Sequence, residues 1–234
     1  MFRFILLLFL ISGFAYANQY GVYAPDNYHF TDESDEKILF ILDFSNSMNE
    51  TIGRERKVDL MIKTFKTILP KIKSNALVGL RVYGYKMGFS PYEACHASKL
   101  LVPLSSGSNI SGALDFVKPR GMTPITYSLK QAVKNDFMGY RGKKRIILIT
   151  DGGENCDESP CAYVMELVKV RHDISIDVIA LTVNDEDDLA QLECAALVTR
   201  GKFYTANTAA ELVNSLNKSI DARKDVDAKI ISNY

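Results

Sequence analysis

The sequence predicts an α/β protein with a doubly wound, mostly parallel central sheet and helices on both faces. Three observations predict it. Short runs rich in Ile, Val and Leu alternate with helical stripes along the chain. Three of those runs are almost continuously apolar, as strands covered on both faces are. Parallel neighbours also need long crossover connections, and the intervening helices supply them.

The elements follow in chain order. Arg3 precedes the apolar run FILLLFLI (4–11), and AYA at 15–17 places small residues ahead of a cleavage point. That layout is a secretory signal peptide cleaved after Ala17, and the run falls short of the roughly 20 apolar residues a membrane span requires. No later stretch is long and apolar enough to span, so the mature chain is expected to be exported to a periplasm or the outside medium without a membrane span. Residues 18–36 are polar and read as an N-terminal extension.

The first strand is KILFILDF (37–44), and the others are ALVGLRVYGY (76–85), RIILIT (145–150) and SIDVIAL (175–181). SKLLVPL (98–104) reads as a short extra strand near an edge, with Pro103 limiting its pairing. Helical stripes lie between them. Val58, Met61, Ile62, Phe65, Ile68 and Leu69 recur at helical spacing, and Pro70 stops that helix. Ile125, Leu129, Ala132 and Val133 form the next stripe; Val164, Leu167 and Val168 follow, then Leu189, Leu192 and Ala196. A last helix carries Ala209, Leu212, Val213, Leu216 and Ile220. One domain over 37–222 accounts for the whole pattern, leaving 223–234 as a tail.

Composition narrows the function classes. The 234 residues include 28 basic and 28 acidic side chains, so the net charge is zero. With no dense Lys/Arg stripe, a nucleic-acid partner or an anionic membrane recognised by charge is not expected.

Export changes how the cysteines read. Cys95, Cys156, Cys161 and Cys194 are even in number, so two disulfides are the default in an oxidising compartment. Of three possible pairings, Cys156–Cys161 within one loop, and hence Cys95–Cys194, is preferred. A zinc site assisted by His96 competes with it, but C-x4-C with two isolated cysteines matches no common zinc spacing.

In a doubly wound sheet, ligands bind beyond the carboxyl ends of the strands. Three loops there carry hard oxygen donors. DFSNS (43–47) leaves the first strand with Asp43, Ser45 and Ser47 at alternate positions, so these side chains face one way while Phe44 turns to the core. RGMTPIT (120–126) presents Thr123, and ITDGGEN (149–155) presents Asp151 at the end of an apolar strand. Two carboxylates and three hydroxyls suit Mg²⁺, Mn²⁺ or Ca²⁺. Two aspartates neutralise a divalent cation while neutral hydroxyls leave its pull on one more anion.

D-x-S-x-S after the first strand, a Thr in G-x-T-P before a helix and T-D-G after a later strand together resemble the metal-ion-dependent adhesion site of the von Willebrand factor type A domain. The resemblance covers roughly 37–222. It implies a Rossmann-like sheet of about six strands with one short antiparallel edge strand, a bound Mg²⁺ or Mn²⁺, and Asp43, Ser45, Ser47, Thr123 and Asp151 as ligands directly or through water. YGYK, GENC and LECAA further resemble secreted bacterial members with loop cysteines. Asn46 stands where Gly is common, which removes no ligand. Glu154, Phe89 and Tyr92 are candidates for a rim around the site.

Each residue also has a plain structural reading. Thr123 before Pro124 is a common N-cap arrangement, Ser45 and Ser47 suit turns, and Asp151-Gly152 is an ordinary turn dipeptide. His29, His96 and His172 show no ligand spacing. The function expected is therefore an exported binding module, not an enzyme, that takes an acidic residue of a partner protein on its metal. A metal-dependent hydrolase or phosphotransferase with Asp43 as nucleophile is the first alternative, weakened because a D-x-D pair would need an acid where Ser45 stands. A disulfide-stapled scaffold without a metal is the second.

Overall fold

The computed structural model describes residues 36–72, 76–105 and 109–221. The expected signal peptide (1–17), nearly all of the extension (18–36) and the tail (223–234) lie outside the described residues.

In chain order the elements are β1 (Lys37–Asp43), β2 (Thr51–Ile52), β3 (Glu55–Arg56), α1 (Lys57–Ile68), β4 (Leu77–Tyr83), α2 (Pro91–Cys95), β5 (Ser98–Ser105) and α3 (Ile110–Leu114). They continue with α4 (Ile125–Gln131), β6 (Lys144–Thr150), α5 (Pro160–Val170), β7 (Ile174–Leu181), α6 (Glu186–Val198), β8 (Phe203–Ala206) and α7 (Ala209–Asp221). Six strands form one sheet in the order β5-β4-β1-β6-β7-β8. All neighbours are parallel except β5, which runs antiparallel to β4 at the edge. The β4–β5 register shifts between Val78 and Arg81, alongside Pro103, which has no N–H to donate.

β1 sits centrally with every residue buried, and its alternation builds two cores at once. Ile38, Phe40 and Leu42 face the layer that holds Met61 and Phe65 of α1 and Leu212 and Leu216 of α7. Leu39 and Ile41 face Leu129 of α4, Val164 of α5 and Leu192 of α6. Phe40 meets Phe65 edge-on, ring centroids 4.5 Å apart. Burying side chains of this size contributes about 1.5–3 kcal/mol each. That leverage holds β1, and the loop that leaves it, in a fixed position.

β8, the β2–β3 ribbon and the helices α2 and α3 escaped the sequence reading; the two helices have five residues each, too few to show a stripe. β8 has only four residues, one of them fully buried, and so carries little apolar signal. The β2–β3 ribbon is two residues long on each side, too short for any periodicity.

The disulfides correct the preferred pairing: Cys95 bonds Cys156 and Cys161 bonds Cys194, with Cα–Cα distances of 5.5 and 5.3 Å. Cys156–Cys161 and Cys95–Cys194 are not formed. The reason is a helix start between the two near neighbours. The Ser159 hydroxyl accepts from Ala162 N at 3.0 Å and caps α5, so Cys161 is already helical and is set against α6, while Cys156 stays in the loop beside α2. Closing loops of 33 and 61 residues constrains the unfolded chain by about 4 kcal/mol each in the chain-entropy account.

Candidate metal centre

The three oxygen-bearing loops meet at the carboxyl end of the sheet because backbone hydrogen bonds lace them together. Phe44 N donates to Tyr83 O, Asn46 N to Gly121 O at 2.9 Å, and Gly121 N to Gly84 O at 2.7 Å. Ser45 and Gly121 form a parallel bridge, so the loop of Thr123 is zipped to the loop of Asp43. Gly84 makes this closeness possible: its φ is +70°, and a Cβ there would lie 2.5 Å from Ser45 N.

Four of the five predicted residues form one hydrogen-bonded set. The Ser45 and Ser47 hydroxyls lie 3.0 Å apart, and Ser47 Oγ donates to Asp151 Oδ1 at 2.7 Å. Asp43 is fully buried; its Oδ1 accepts from Ser45 N at 2.6 Å and its Oδ2 from the Thr150 hydroxyl at 2.8 Å. The fifth residue, Thr123, is buried at the same end of the sheet, with its N–H donated to Asn155 Oδ1 at 2.7 Å. Its hydroxyl takes no part in the hydrogen bonds of the other four.

Thr123 does not cap α4. That role falls to Glu154, whose Oε2 accepts from Thr126 N at 2.7 Å and whose Oε1 accepts from Cys156 N at 3.0 Å. Glu154 is thus a strut between two loops, not a rim residue, because the free N–H groups at the start of α4 draw its carboxylate inward. Burial pushes its pKa up, against the pull of those N–H donors. Phe89 and Tyr92 are exposed on the segment that continues from Gly84, and the Tyr92 ring stacks on His96 at 4.0 Å.

The electrostatics favour a cation. Burial, and then the charge of Asp151, push the Asp43 carboxyl up to about 6: a buried carboxylate beside a second acid is costly to ionise. Among the described residues no three Asp, Glu, His or Cys side chains converge on one point. A cation here would therefore rest on two carboxylates and on hydroxyls, the hard donor set that suits Mg²⁺, Mn²⁺ or Ca²⁺.

Several residues of the site had no sequence signal. Lys57, the first residue of α1, reaches Asp151 Oδ2 at 2.9 Å and Glu50 Oε2 at 2.8 Å. The β2–β3 ribbon places it there by folding back, so that Lys57 N donates to Glu50 O at 2.8 Å. Burial pulls the Lys57 ammonium down, yet the two carboxylates outweigh it and its pKa is raised. Tyr83 is buried next to Asp43, its hydroxyl without a hydrogen-bond partner of good geometry among the described residues. Burial and the Asp43 charge keep that phenol neutral. Tyr83, inside YGYK, Thr150, inside T-D-G, and Asn155, inside GENC, lay in motifs already singled out, but Lys57 did not.

The von Willebrand factor type A domain profile matches residues 37–219. The chain belongs to this family. Two relatives of this VWA chain are the uncharacterized proteins YwmD and YwmC of Bacillus subtilis (strain 168). YwmD is 27% identical over 193 residues, covering 80% of this chain and 85% of its own length. YwmC is 24% identical over 211 residues, covering 88% and 92%.

Among solved structures, proximal thread matrix protein 1 of the mussel byssus superposes with a TM-score of 0.61 at 21% identity, over 82% of this chain and 47% of that one. The VWA chain thus spans about half the length of the byssus protein. A form of that protein with a zinc-occupied MIDAS motif gives a TM-score of 0.62 at 22% identity, over 82% of this chain and 46% of that one. BatB of Bacteroides thetaiotaomicron gives 0.60 at 14% identity, over 79% of this chain and 98% of its own. At these identities the likeness is one of fold.

Proposed function

We propose that this protein is an exported VWA-domain binding module that engages an acidic side chain of a partner protein through a divalent cation held by Asp43, Ser45, Ser47, Thr123 and Asp151. The observation that carries the reading is the pair of buried carboxylates, Asp43 and Asp151, linked through Ser45, whose N–H donates to Asp43, and Ser47, whose hydroxyl meets that of Ser45 and donates to Asp151. A bound Mg²⁺ or Mn²⁺ supplies the charge that lets a partner carboxylate be buried there. Without it that carboxylate is an unpaired charge taken out of water, and binding is lost.

The residues divide the work. Ser45 and Ser47 offer neutral oxygens, so the positive charge is not fully quenched. Thr150 and Ser45 N hold Asp43 in one orientation, and Asn155 anchors the Thr123 backbone. Asp43 is better suited to ligation than to nucleophilic attack, since both of its oxygens accept hydrogen bonds in the buried floor of the site. The reading is accordingly a binder and not a hydrolase or phosphotransferase.

Export rests on the signal-peptide layout of residues 1–17 and on two disulfides with no free cysteine among the described residues. Among those residues no helix is long and apolar enough to cross a membrane.

Calorimetric titration of the chelator-treated protein with Mg²⁺, Mn²⁺ and Ca²⁺ tests the centre. One ion should bind per chain, and Ser45→Ala and Thr123→Ala should each weaken it. No heat from any of the three would remove the basis of the reading. Retrieval of a partner with undiminished yield in EDTA would show that binding does not run through the metal.

A further inference from the structure

The rim of the candidate centre is electrically lopsided. On one side the Asp151 loop abuts the start of α6, where Gly153 N donates to Asp188 Oδ2 at 3.1 Å, and Asp185, Glu186 and Asp187 stand exposed in the first turn. On the other side the Thr123 loop is entered through Lys118, Pro119 and Arg120. Arg120 N donates to Phe44 O and Gly84 O, both at 3.1 Å, so this segment is rigidly part of the site.

Between that segment and α1 runs a groove of about 460 Å³, bordered by Asn49, Arg56, Asp59, Lys118 and Arg120 over an apolar floor that includes Ile62. Its wall adjoins the first site loop, for Asn49, two residues past Ser47, lines it and donates through Nδ2 to Pro119 O at 3.3 Å. The acids here are already neutralised. Asp59 is held by Arg56 through two bonds of 2.7 and 2.9 Å, and Asp115 is paired with Lys66. Lys118 and Arg120 are exposed and have no carboxylate partner among the described residues. Lys86, whose carbonyl packs against Gly121, adds a third exposed cation of the same kind.

We infer that this groove seats the stretch of partner protein next to the metal-bound carboxylate, and that this stretch is acidic. The inference rests on the metal-site reading and specifies its partner. A chain that delivers one carboxylate to the centre is repelled on the α6 side and attracted toward Lys118 and Arg120, so its further acidic residues run one way only. The apolar floor gives an intervening aliphatic side chain a place to bury.

The test uses two fluorescein-labelled peptides in millimolar Mg²⁺, each with a central Asp: one flanked on a single side by glutamates, the other by glycines only. Fluorescence anisotropy with the mature protein should show the acid-flanked peptide binding roughly threefold to tenfold tighter, the scale of one or two exposed ion pairs. Lys118→Glu with Arg120→Glu should abolish that preference, and raised salt should shrink it. Circular dichroism confirms that the variant is folded. Equal affinity for both peptides, or a preference that survives the double substitution, overturns the groove while leaving metal-dependent capture of the central Asp intact. EDTA-insensitive binding of both peptides, or no binding of either, overturns the metal-site reading and the groove with it.

Discussion

Lys57 Nζ lies 2.9 Å from Asp151 Oδ2, with side chains 8% and 0% exposed: a buried ammonium is wedged against one of the two carboxylates offered to the cation. Counting Asp43, Asp151 and Lys57, the floor of the site carries one net negative charge, and Glu50 adds another mostly in solvent. A divalent cation there leaves a surplus positive charge facing outward. In the proposed function the lysine would weaken the hold on the metal and strengthen the pull on an anion.

Lys57→Met is therefore expected to raise the affinity for Mn²⁺ on the order of tenfold, since a neighbouring positive charge is removed. In chelator the same variant should melt below the wild type, because Asp151 is left buried without a cation, a loss of about 3 kcal/mol or more. Lys57→Arg should stay near wild type in both respects. Calorimetry and thermal melts read the two effects separately. Weaker Mn²⁺ binding by a folded Lys57→Met would show that the lysine props Asp151 up instead of competing with the metal.

Stability in chelator should depend on pH in an unusual sense. The Asp43 carboxyl is pushed up to about 6 from 3.8 by burial and then by Asp151. The folded state therefore binds the proton more tightly than the unfolded chain, and stability rises as pH falls through about 6 toward the unfolded value. The gain is about 3 kcal/mol at most. Asp173, held well below the usual carboxylate range by Arg171 and then Lys144 against its partial burial, acts in the opposite sense, and its contribution is lost at still lower pH. Melting temperature followed downward from neutrality should first climb in wild type and stay flatter in Asp43→Asn.

The two disulfides should separate by function. Replacing Cys161 and Cys194 by Ser is expected to cost about 4 kcal/mol in urea unfolding and to leave Mg²⁺ binding unchanged. Replacing Cys95 and Cys156 should cost a similar amount and also weaken Mg²⁺. Cys156 follows Glu154 and Asn155, which hold Thr126 and Thr123. Identical metal affinity in the two pairs of variants would argue against this coupling.

Gly84→Ala tests the lacing of the loops. The substitution forces a Cβ to within 2.5 Å of Ser45 N at a backbone φ of +70°. A loss of about 2 kcal/mol or more is expected from strain and displacement together. Because the displaced group is the Ser45 backbone, Mg²⁺ affinity should fall beyond what the stability loss alone explains. Urea melts and calorimetry on the same variant decide it.

Much of this architecture was legible in the chain because it is written in local patterns. The continuous apolar run of β1, the stripes of α1 and α7, and the motifs DFSNS, MTP and TDGG each depend on near neighbours; alternation aims Asp43 and Ser45 the same way, and a 3-10 turn over Asn46–Asn49 brings Ser47 to them. The strand-end rule for doubly wound sheets then gathers three distant loops without any knowledge of coordinates. What stayed hidden were contacts between elements that carry no periodic signal. Lys57 reads as an ordinary polar residue at a helix start; only the fold-back of a two-residue ribbon sets it on Asp151. Glu154 reads as a rim candidate and Asn155 has no reading of its own, because their partners, the N–H groups of Thr126 and Thr123, belong to another segment. Cysteine pairing followed which helix faces which, not distance along the chain. The sequence by itself thus determined which oxygens gather at one end of the sheet, because that follows from backbone geometry. Only the tertiary structure decided what charges surround them, because electrostatic neighbours are set by packing across the chain.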